Sequence, residues 1–152
     1  MKNSPIGELL LGTGHITAEQ LHTALLTQNA SSGYLGEILV GLDFVTAEEI
    51  AHAIAMQHKL PFVDLSITVP QRKALEAIPR EMAQTHTLLP LRIKRGVLTV
   101  VTHDPGKAEL RRQLEDTAGM KVAFAVADKA MIAKSVELYY VELENPLEQR
   151  IT

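Results

Sequence analysis

Glycine and glutamine recur at one spacing in this sequence, and they are its clearest candidates for contacts with a ligand. Gly7 and Gln28 stand 21 positions apart, and Gly36 and Gln57 repeat that spacing 29 positions later. Each glutamine stands seven positions after an apolar residue of its helix, so both are predicted to extend the buried apolar stripe rather than the solvent face. A buried amide needs a hydrogen-bond partner, which is either the end of a neighbouring helix or a ligand. Glycine in the first turn of a helix permits either tight packing between hairpins or the approach of a ligand to backbone amides. The pattern leaves both interpretations open for each pair.

No arrangement of residues typical of catalysis accompanies these pairs. The sequence has no cysteine, no GxxxxGK[ST] phosphate loop and no HExxH zinc motif, so the corresponding chemistries lack their functional groups. The nearest phosphate-loop fragment is "HDPGK" at 103–107, and one glycine with one lysine is ordinary in a turn before a helix. We predict no catalytic residues, no metal site and a protein that is not an enzyme.

The glycine and glutamine pairs belong to a duplicated segment. "GELLLGTGHITAEQLHTALLTQ" from Gly7 corresponds to "GEILVGLDFVTAEEIAHAIAMQ" from Gly36, and nine of 24 positions are identical when the copies are aligned from Pro5 and Tyr34. Each copy predicts a helical hairpin, and the polar spacer 29–33 predicts a loop between them. Because one hairpin of this size cannot bury its apolar stripe alone, the two copies are expected to form a four-helix unit.

Local signals mark the beginning and end of these helices. Ser4 is a plausible N-cap with Pro5 at the first helical position. Gly14 and Asp43 stand where each hairpin needs a left-handed residue. A capping box, in which a threonine hydroxyl and a side chain three residues later bond free backbone amides, opens each second helix. The two boxes are Thr17 with Gln20 and Thr46 with Glu49.

The remainder of the chain alternates between strand and helix signals. "LPFVDLSITV" at 60–69 predicts a strand or extended crossing, and short helices are predicted after Pro70 and Pro79. A β-hairpin is predicted around "KRG" at 94–96. A helix that ends at Gly119, a strand over 121–128 and a terminal helix over 129–140 complete the pattern.

These elements together predict an α+β fold. An N-terminal four-helix unit from two duplicated helical hairpins is followed by a small α/β layer with a β-hairpin. The predicted boundaries are 1–58 for the helical-hairpin subdomain, 59–141 for the α/β subdomain and 142–152 for a polar tail.

Charge divides the sequence into an acidic first part and a nearly neutral remainder. Residues 1–60 contain six carboxylates, two lysines and no arginine, whereas the rest contains 13 cations and 12 anions. Neither part has a basic stripe able to neutralise many phosphates, and three phenylalanines, three tyrosines and no tryptophan offer few stacking surfaces. No apolar run is long enough for a signal peptide or a membrane span. We therefore expect a cytoplasmic protein that neither binds DNA or RNA nor inserts into membranes.

The duplicated segment resembles the tandem 24-residue motif of the MshEN domain, the N-terminal domain of type II secretion and type IV pilus assembly ATPases. The resemblance extends through the α/β part to about Tyr140, and it rests on the period, the spacer and the terminal glutamine. No motor follows the domain in this sequence, so a divergent, stand-alone module is expected. The matching positions are Gly7, Leu10, Leu11, Gly14, Leu21, Leu25 and Gln28, then Leu35, Gly36, Leu39, Val40, Ile50, Ile54 and Gln57.

The resemblance implies cyclic di-GMP as a possible ligand and no other cofactor. This two-fold dinucleotide has two guanines and two phosphates, so a duplicated site can contact it twice with leucine surfaces, glutamine amides and glycine amides. The residues implied as ligand contacts are Ile6, Gly7, Leu10, Leu11, Leu25, Gln28, Tyr34, Leu35, Gly36, Leu39, Val40, Ile54 and Gln57.

The sequence departs from the family motif at the first position of each copy. The motif begins Arg-Leu-Gly, whereas Pro5 and Tyr34 occupy the arginine positions here, and residues 1–60 contain no other arginine. Two lost charge-assisted contacts, at roughly 1.5 to 3 kcal/mol each, would weaken binding by about two orders of magnitude or more.

Two functions follow from this pattern. The first is a non-enzymatic regulatory or adaptor module that acts through protein contacts, with a component of a secretion or pilus machine as its partner. An exposed face such as Leu42, Phe44 and Val45 would meet that partner. The alternative is a cyclic di-GMP receptor that uses the paired repeats without the arginines, in which Tyr34 could stack on a base.

Overall fold

The computed structural model describes residues 5–31 and 34–144. Within these residues it contains eight helices and one three-stranded sheet, which confirms the predicted α+β fold class. The chain divides into two compact units, Met1–Lys59 and Leu60–Thr152. We call them the helical unit and the α/β unit.

Two helical hairpins form the helical unit. Its helices are α1 (Pro5–Gly12), α2 (Ala18–Ser31), α3 (Leu35–Gly41) and α4 (Ala47–His58). The predicted turn residues are left-handed, with φ of 81° at Gly14 and 63° at Asp43. Glycine adopts this conformation without steric cost, and aspartate tolerates it better than most residues, so both copies keep the same turn.

Both predicted capping boxes are present and have the same geometry. The Thr17 backbone N–H donates to Gln20 Oε1 at 2.9 Å, and the Gln20 backbone N–H donates to Thr17 Oγ1 at 3.1 Å. Thr46 and Glu49 form the same two bonds at 2.9 and 3.1 Å. Pro5 is the first residue of α1, as predicted, whereas Ser4 lies outside the described residues.

The two hairpins share one core. Helix α1 contacts α4 as well as α2, and α3 contacts α2 as well as α4. Apolar side chains from all four helices and both turns meet in this core, as expected for hairpins that cannot bury their stripes alone. Its buried members are Leu10, Ile16, Leu21, Ala24, Leu35, Leu39, Val45 and Ala53.

The α/β unit begins with an extended crossing that pairs with the sheet at one bridge, Phe62 with Val126. Two short helices, a β-hairpin, a crossover helix, a third strand and a long helix follow in order. They are α5 (Arg72–Ala77), α6 (Arg80–His86), β1 (Leu88–Lys94), β2 (Val97–Thr102), α7 (Ala108–Ala118), β3 (Lys121–Val126) and α8 (Lys129–Glu144).

The sheet has the order β1-β2-β3, with β1 and β2 antiparallel and β2 and β3 parallel. The predicted β-hairpin is confirmed, and its two turn residues, Arg95 and Gly96, both have positive φ, at 55° and 76°. This is the combination that a two-residue type I′ hairpin requires. Helix α7 makes the crossover that a parallel pair needs, and it ends at Gly119, as predicted.

Side chains and backbone from α5 and α8 fix the α/β core. The Tyr140 hydroxyl donates to the carbonyl oxygens of Ile78 and Leu75 at 2.8 and 3.2 Å, which ties α8 to α5. Burial raises the pKa of Tyr140, and Glu144 adds to the increase. Gln71 covers the outer edge of β1, because its N–H donates to the Leu91 carbonyl and its Oε1 accepts from the Ile93 N–H.

Three predicted boundaries are wrong. Helix α2 continues to Ser31, so the predicted loop over 29–33 is shorter, and residues 32–33 lie outside the described part. Helix α5 starts at Arg72 rather than directly after Pro70, because Gln71 is held by the edge of β1. Helix α8 continues past residue 140 to Glu144, where Arg80 Nη1 lies 2.6 Å from the Glu144 carboxylate. Residues 145–152 lie outside the described part.

Candidate ligand and partner site

The repeated glycines have a packing function that is the same in both copies. A Cβ atom at Gly7 would lie 3.0 Å from Leu21 Cδ1 and 3.0 Å from Leu35 Cδ2. A Cβ atom at Gly36 would lie 3.3 Å from Ile50 Cγ2. Each glycine therefore faces the residue 14 positions later, in the second helix of its own hairpin. The packing interpretation of the glycines is supported, with contact inside each hairpin and, for Gly7, also between hairpins.

Three of the implied ligand contacts are core residues. The side chains of Leu10, Leu35 and Leu39 are only 1%, 3% and 0% exposed and pack in the shared core. A ligand could not touch their side chains in this conformation. Their role in the described state is to hold the four helices together.

The other implied apolar contacts form a partly accessible set. Ile6, Leu25 and Val40 are half-buried and pack against the core. Ile54 is half-buried as well. Leu11 is 39% exposed, so it is the leucine of the motif most available to a base or a partner.

The two glutamines differ, and the prediction that both extend a buried stripe is wrong for Gln57. Gln28 is half-buried and engaged with a partner in the folded chain. Gln57 is exposed, one residue before the end of α4. Burial on α4 continues as far as Ala55, two residues before Gln57. Spacing along the helix predicts a face of the helix and does not predict at which residue burial ends.

The positions that carry arginine in the family motif hold uncharged residues at the starts of α1 and α3. Pro5 is the first residue of α1, and Tyr34 is the N-cap of α3 with its side chain 75% exposed. Among the described residues of the helical unit, Lys59 is the sole lysine or arginine. The six carboxylates of this unit are exposed or half-buried: Glu8, Glu19, Glu37, Asp43, Glu48 and Glu49. A dianionic ligand would therefore meet repulsion without a guanidinium to offset it.

The face predicted to meet a partner is wrong. Val45 belongs to the core, and Leu42 and Phe44 are partly buried against it, because the turn after α3 folds back onto the helices. The large apolar side chains that the helical unit does expose are Leu11, Leu26, Tyr34 and Met56. Sequence periodicity could have indicated Leu26 and Met56, since both lie outside the apolar stripes of their helices.

The remaining candidate segments form ordinary structure. In "HDPGK", the Asp104 N–H donates to Thr102 Oγ1 at 3.1 Å, and Lys107 Nζ lies 3.7 Å from the Asp104 carboxylate, so the segment is a turn before α7, as predicted. Over residues 5–31 and 34–144, no cluster of histidine and carboxylate side chains has a geometry suited to a metal. No helix in this part of the chain has the length and apolar character needed to cross a membrane.

A duplicated helical-hairpin unit followed by a three-stranded α/β unit is a fold shared with two solved structures. The chain matches the structure of MshE with cdg, that is, cyclic di-GMP, with a TM-score of 0.79 and 24% identity over 91% of this chain and 100% of that one. It also matches the N-terminal domain of XpsE, with a TM-score of 0.68 and 20% identity over 90% of this chain and 97% of that one.

The MshEN domain family matches residues 58–146, more than half of the chain. The protein belongs to the MshEN domain family. It is also 24% identical, over 143 residues, to the type IV pilus assembly ATPase PilB of Myxococcus xanthus strain DK1622. That match covers 94% of this chain and 25% of PilB, so the chain spans about a quarter of the length of that relative.

Proposed function

We propose that this protein is a non-enzymatic regulatory module of a secretion or pilus machine, and that it acts through contacts with a protein partner. Membership of the MshEN family supports the association with such machines, and a family relative is the pilus assembly ATPase PilB. The helical unit keeps the family architecture as a scaffold for protein contacts. In this proposal it does not bind cyclic di-GMP at cellular concentrations.

The observation that carries the proposal is the loss of positive charge where the ligand motif needs it. Pro5 and Tyr34 occupy the arginine positions, and residues 1–60 retain two lysines against six carboxylates. Charge-assisted hydrogen bonds from arginine are among the strongest contacts to phosphate and to the guanine edge. The repeated glycines, which could otherwise argue for a ligand, already have a packing function at Leu21 and Ile50.

A second candidate function is binding of cyclic di-GMP by the paired repeats despite the missing arginines. The structural similarity to MshE with cdg favours it. Leu11 and Tyr34 are exposed, and Gln57 is an accessible amide in the second copy. These groups supply apolar surface, a stacking ring and hydrogen bonds, although they supply no charge.

Restoring the arginines distinguishes the two candidates. The variant Pro5→Arg with Tyr34→Arg is titrated with cyclic di-GMP by calorimetry beside the natural sequence. If charge is what the site lacks, the double variant binds at least about 100-fold more tightly than the natural protein. A matched control, Thr23→Arg with Met56→Arg, adds the same charge at two exposed positions of the same unit and should leave binding unchanged.

Three results would contradict parts of this account. Tight, selective binding by the natural protein would make the second candidate the correct one. Equal gains from the double variant and its control would show that net charge alone attracts the ligand and that the motif positions have no special role. A double variant that stays silent would show that the helical unit has lost more than its two guanidinium groups.

A further inference from the structure

One face of the sheet is open at the hairpin end. Residues paired across neighbouring strands share a face, and the register places two rows of three side chains there. Lys94, Val97 and Lys121 form the outermost row, and Arg92, Thr99 and Ala123 form the next. All six side chains are exposed or half-buried. None of the eight described helices therefore covers this end of the face.

The rest of the sheet is covered. On the same face, the row further from the hairpin, Leu89, Val101 and Ala125, is at most 1% exposed. On the opposite face, β2 and β3 contribute only buried side chains: Leu98, Val100, Thr102, Val122, Phe124 and Val126. The two rows at the hairpin end are thus exposed, whereas the other side chains of β2 and β3 are buried on both faces of the sheet.

The open end is positively charged and unpaired. Arg92, Lys94 and Lys121 surround neutral side chains, and the hairpin turn adds Arg95. All four cations are exposed, and none forms an ion pair with another described residue. We call these four cations, with Val97, Thr99 and Ala123 between them, the basic sheet end.

We propose that the basic sheet end docks an acidic amphipathic helix of a partner protein. The inference rests on the proposed function, which requires a protein partner, and it specifies where and by what chemistry that partner binds. A neutral centre bordered by polar groups is the usual anatomy of a protein interface. A helix is the element that ordinarily covers an open sheet face.

The spacing of the cations fits carboxylates on one helix. Lys94 and Lys121 stand two strand spacings apart, roughly 9.5 Å, and Arg92 and Lys94 stand two residues apart on β1, roughly 6.6 Å. Glutamates at i and i+4 of a helix are separated along its axis by about 6 Å, and those at i and i+7 by about 10.5 Å. A helix that crosses the strands can therefore place carboxylates at i and i+7 opposite Lys94 and Lys121, and Arg92, which lies to one side of that line, can reach the same acidic face.

Other anionic partners match this surface less well. Recognition of single-stranded nucleic acid uses aromatic side chains on which bases stack, and the basic sheet end contains none. Peripheral membrane binding combines basic groups with bulky apolar side chains that enter the lipid, whereas Val97 here is half-buried in the sheet.

The test uses a labelled synthetic peptide that is helical and carries glutamates at i, i+4 and i+7 between alanines and leucines. Its binding to the full chain is measured by fluorescence anisotropy at physiological salt, beside a scrambled peptide of equal composition. Arg92→Glu with Lys121→Glu should weaken binding about tenfold or more. The matched control, Lys129→Glu with Lys134→Glu, makes the same charge change on exposed positions of α8 and should change affinity less than about twofold.

Several outcomes would overturn the inference. One is that the scrambled peptide binds as tightly as the helical peptide, and another is that the control variant weakens binding as much as Arg92→Glu with Lys121→Glu does. A third is that the helical peptide does not bind although circular dichroism shows the natural protein and the variant to be folded. Tighter binding to single-stranded RNA or to phosphatidylserine vesicles than to the peptide would assign the surface to another class of partner. Salt-sensitive self-association that Arg92→Glu with Lys121→Glu abolishes would assign it to a second copy of the chain. None of these results depends on cyclic di-GMP titration of the helical unit, so the two proposals can fail separately.

Discussion

The helical unit and the α/β unit reach stability in different ways. The helical unit contains the same local structure twice. Each hairpin has the same left-handed turn, the same capping box and a glycine that faces the residue 14 positions later. The α/β unit repeats nothing and depends on contacts between distant residues, such as the bonds from Tyr140 to the carbonyls of Leu75 and Ile78. Architecture built from such local features does not require arginine at either motif position.

The two units also differ in charge. The helical unit is acidic and lacks arginine, whereas the α/β unit presents at its basic sheet end four cations that form no ion pair within residues 5–31 and 34–144. The unit that contains the ligand motif is therefore the less suited to an anion. In our account, the positive surface of the module lies in the other unit and serves a protein partner.

The largest effect is expected from removing core volume in one unit. Leu39→Ala deletes a fully buried side chain of the helical unit and should cost about 2 to 5 kcal/mol. Because each unit has its own core, amide hydrogen exchange should accelerate over 5–58 and change little over 60–144. Leu98→Ala, fully buried in β2, should give the reverse pattern. Equal acceleration in both units would show that they unfold as one.

The next largest effect concerns the bonds between α8 and α5. Tyr140→Phe leaves the carbonyls of Leu75 and Ile78 without this hydroxyl and should cost about 1 to 3 kcal/mol in urea denaturation. Tyr139→Phe removes a hydroxyl that forms no hydrogen bond with the described residues and should be nearly neutral. Similar losses from both variants would contradict the assigned role of Tyr140.

The same residue predicts a dependence of stability on alkaline pH. The pKa of Tyr140 is raised in the folded state, so its contribution is complete below the ordinary tyrosine pKa of 10.0. Above that pH the unfolded chain ionises while the buried phenol stays neutral, and stability falls. Comparing urea denaturation of the natural protein and Tyr140→Phe on both sides of pH 10.0 should show a smaller alkaline loss in the variant. A larger loss in the variant would reverse the sign of this prediction.

A smaller pair of effects tests the equivalence of the two repeats. Thr17→Ala and Thr46→Ala each remove one capping box and should each cost about 1 kcal/mol, with values that agree within about 0.5 kcal/mol. Thr23→Ala, in the exposed middle of α2, is the control and should be neutral or slightly stabilising. Thermal unfolding followed by circular dichroism measures all three. Unequal costs at Thr17 and Thr46 would mean that the copies share geometry without sharing energetics.

The smallest effect is expected at the repeated glycines. Gly7→Ala places a methyl group 3.0 Å from two buried leucine side chains. This crowding should cost more than the alanine gains in helix propensity, so we expect a net loss of stability of about 1 kcal/mol or less. Gly36→Ala meets one contact at 3.3 Å and should cost less. Gly41→Ala has open space and should be neutral or stabilising by a few tenths of a kcal/mol. Stabilisation by Gly7→Ala would remove the packing explanation for its recurrence.

Sequence reasoning was most accurate where the structure is decided locally. The capping boxes, the turns at Gly14 and Asp43 and the hairpin at Arg95 and Gly96 depend on a few adjacent residues, and all were predicted. The exposure of Gln57 was not predicted, because it depends on the residue at which burial ends along α4, which is Ala55.

Burial of Val45 and the last turn of α8 were also missed for a physical reason. Val45 is buried because a turn folds back onto the helices. Helix α8 continues to Glu144, where Leu143 packs against the α/β core and Arg80, 64 positions earlier, pairs with Glu144. Such contacts between distant residues leave no periodic signal in the sequence. The basic sheet end was missed similarly, since its cations come from two strands and a turn and meet only through the register of the sheet.

Calorimetric titration of the natural protein with cyclic di-GMP at physiological salt tests the central claim most directly. Cyclic di-AMP and GTP serve as controls for a general attraction of nucleotides. Our account predicts no selective heat of binding up to about a millimolar, since the motif positions held by Pro5 and Tyr34 supply no charge. Selective binding at micromolar concentrations or tighter would contradict it, and would make this protein a second-messenger receptor that dispenses with arginine.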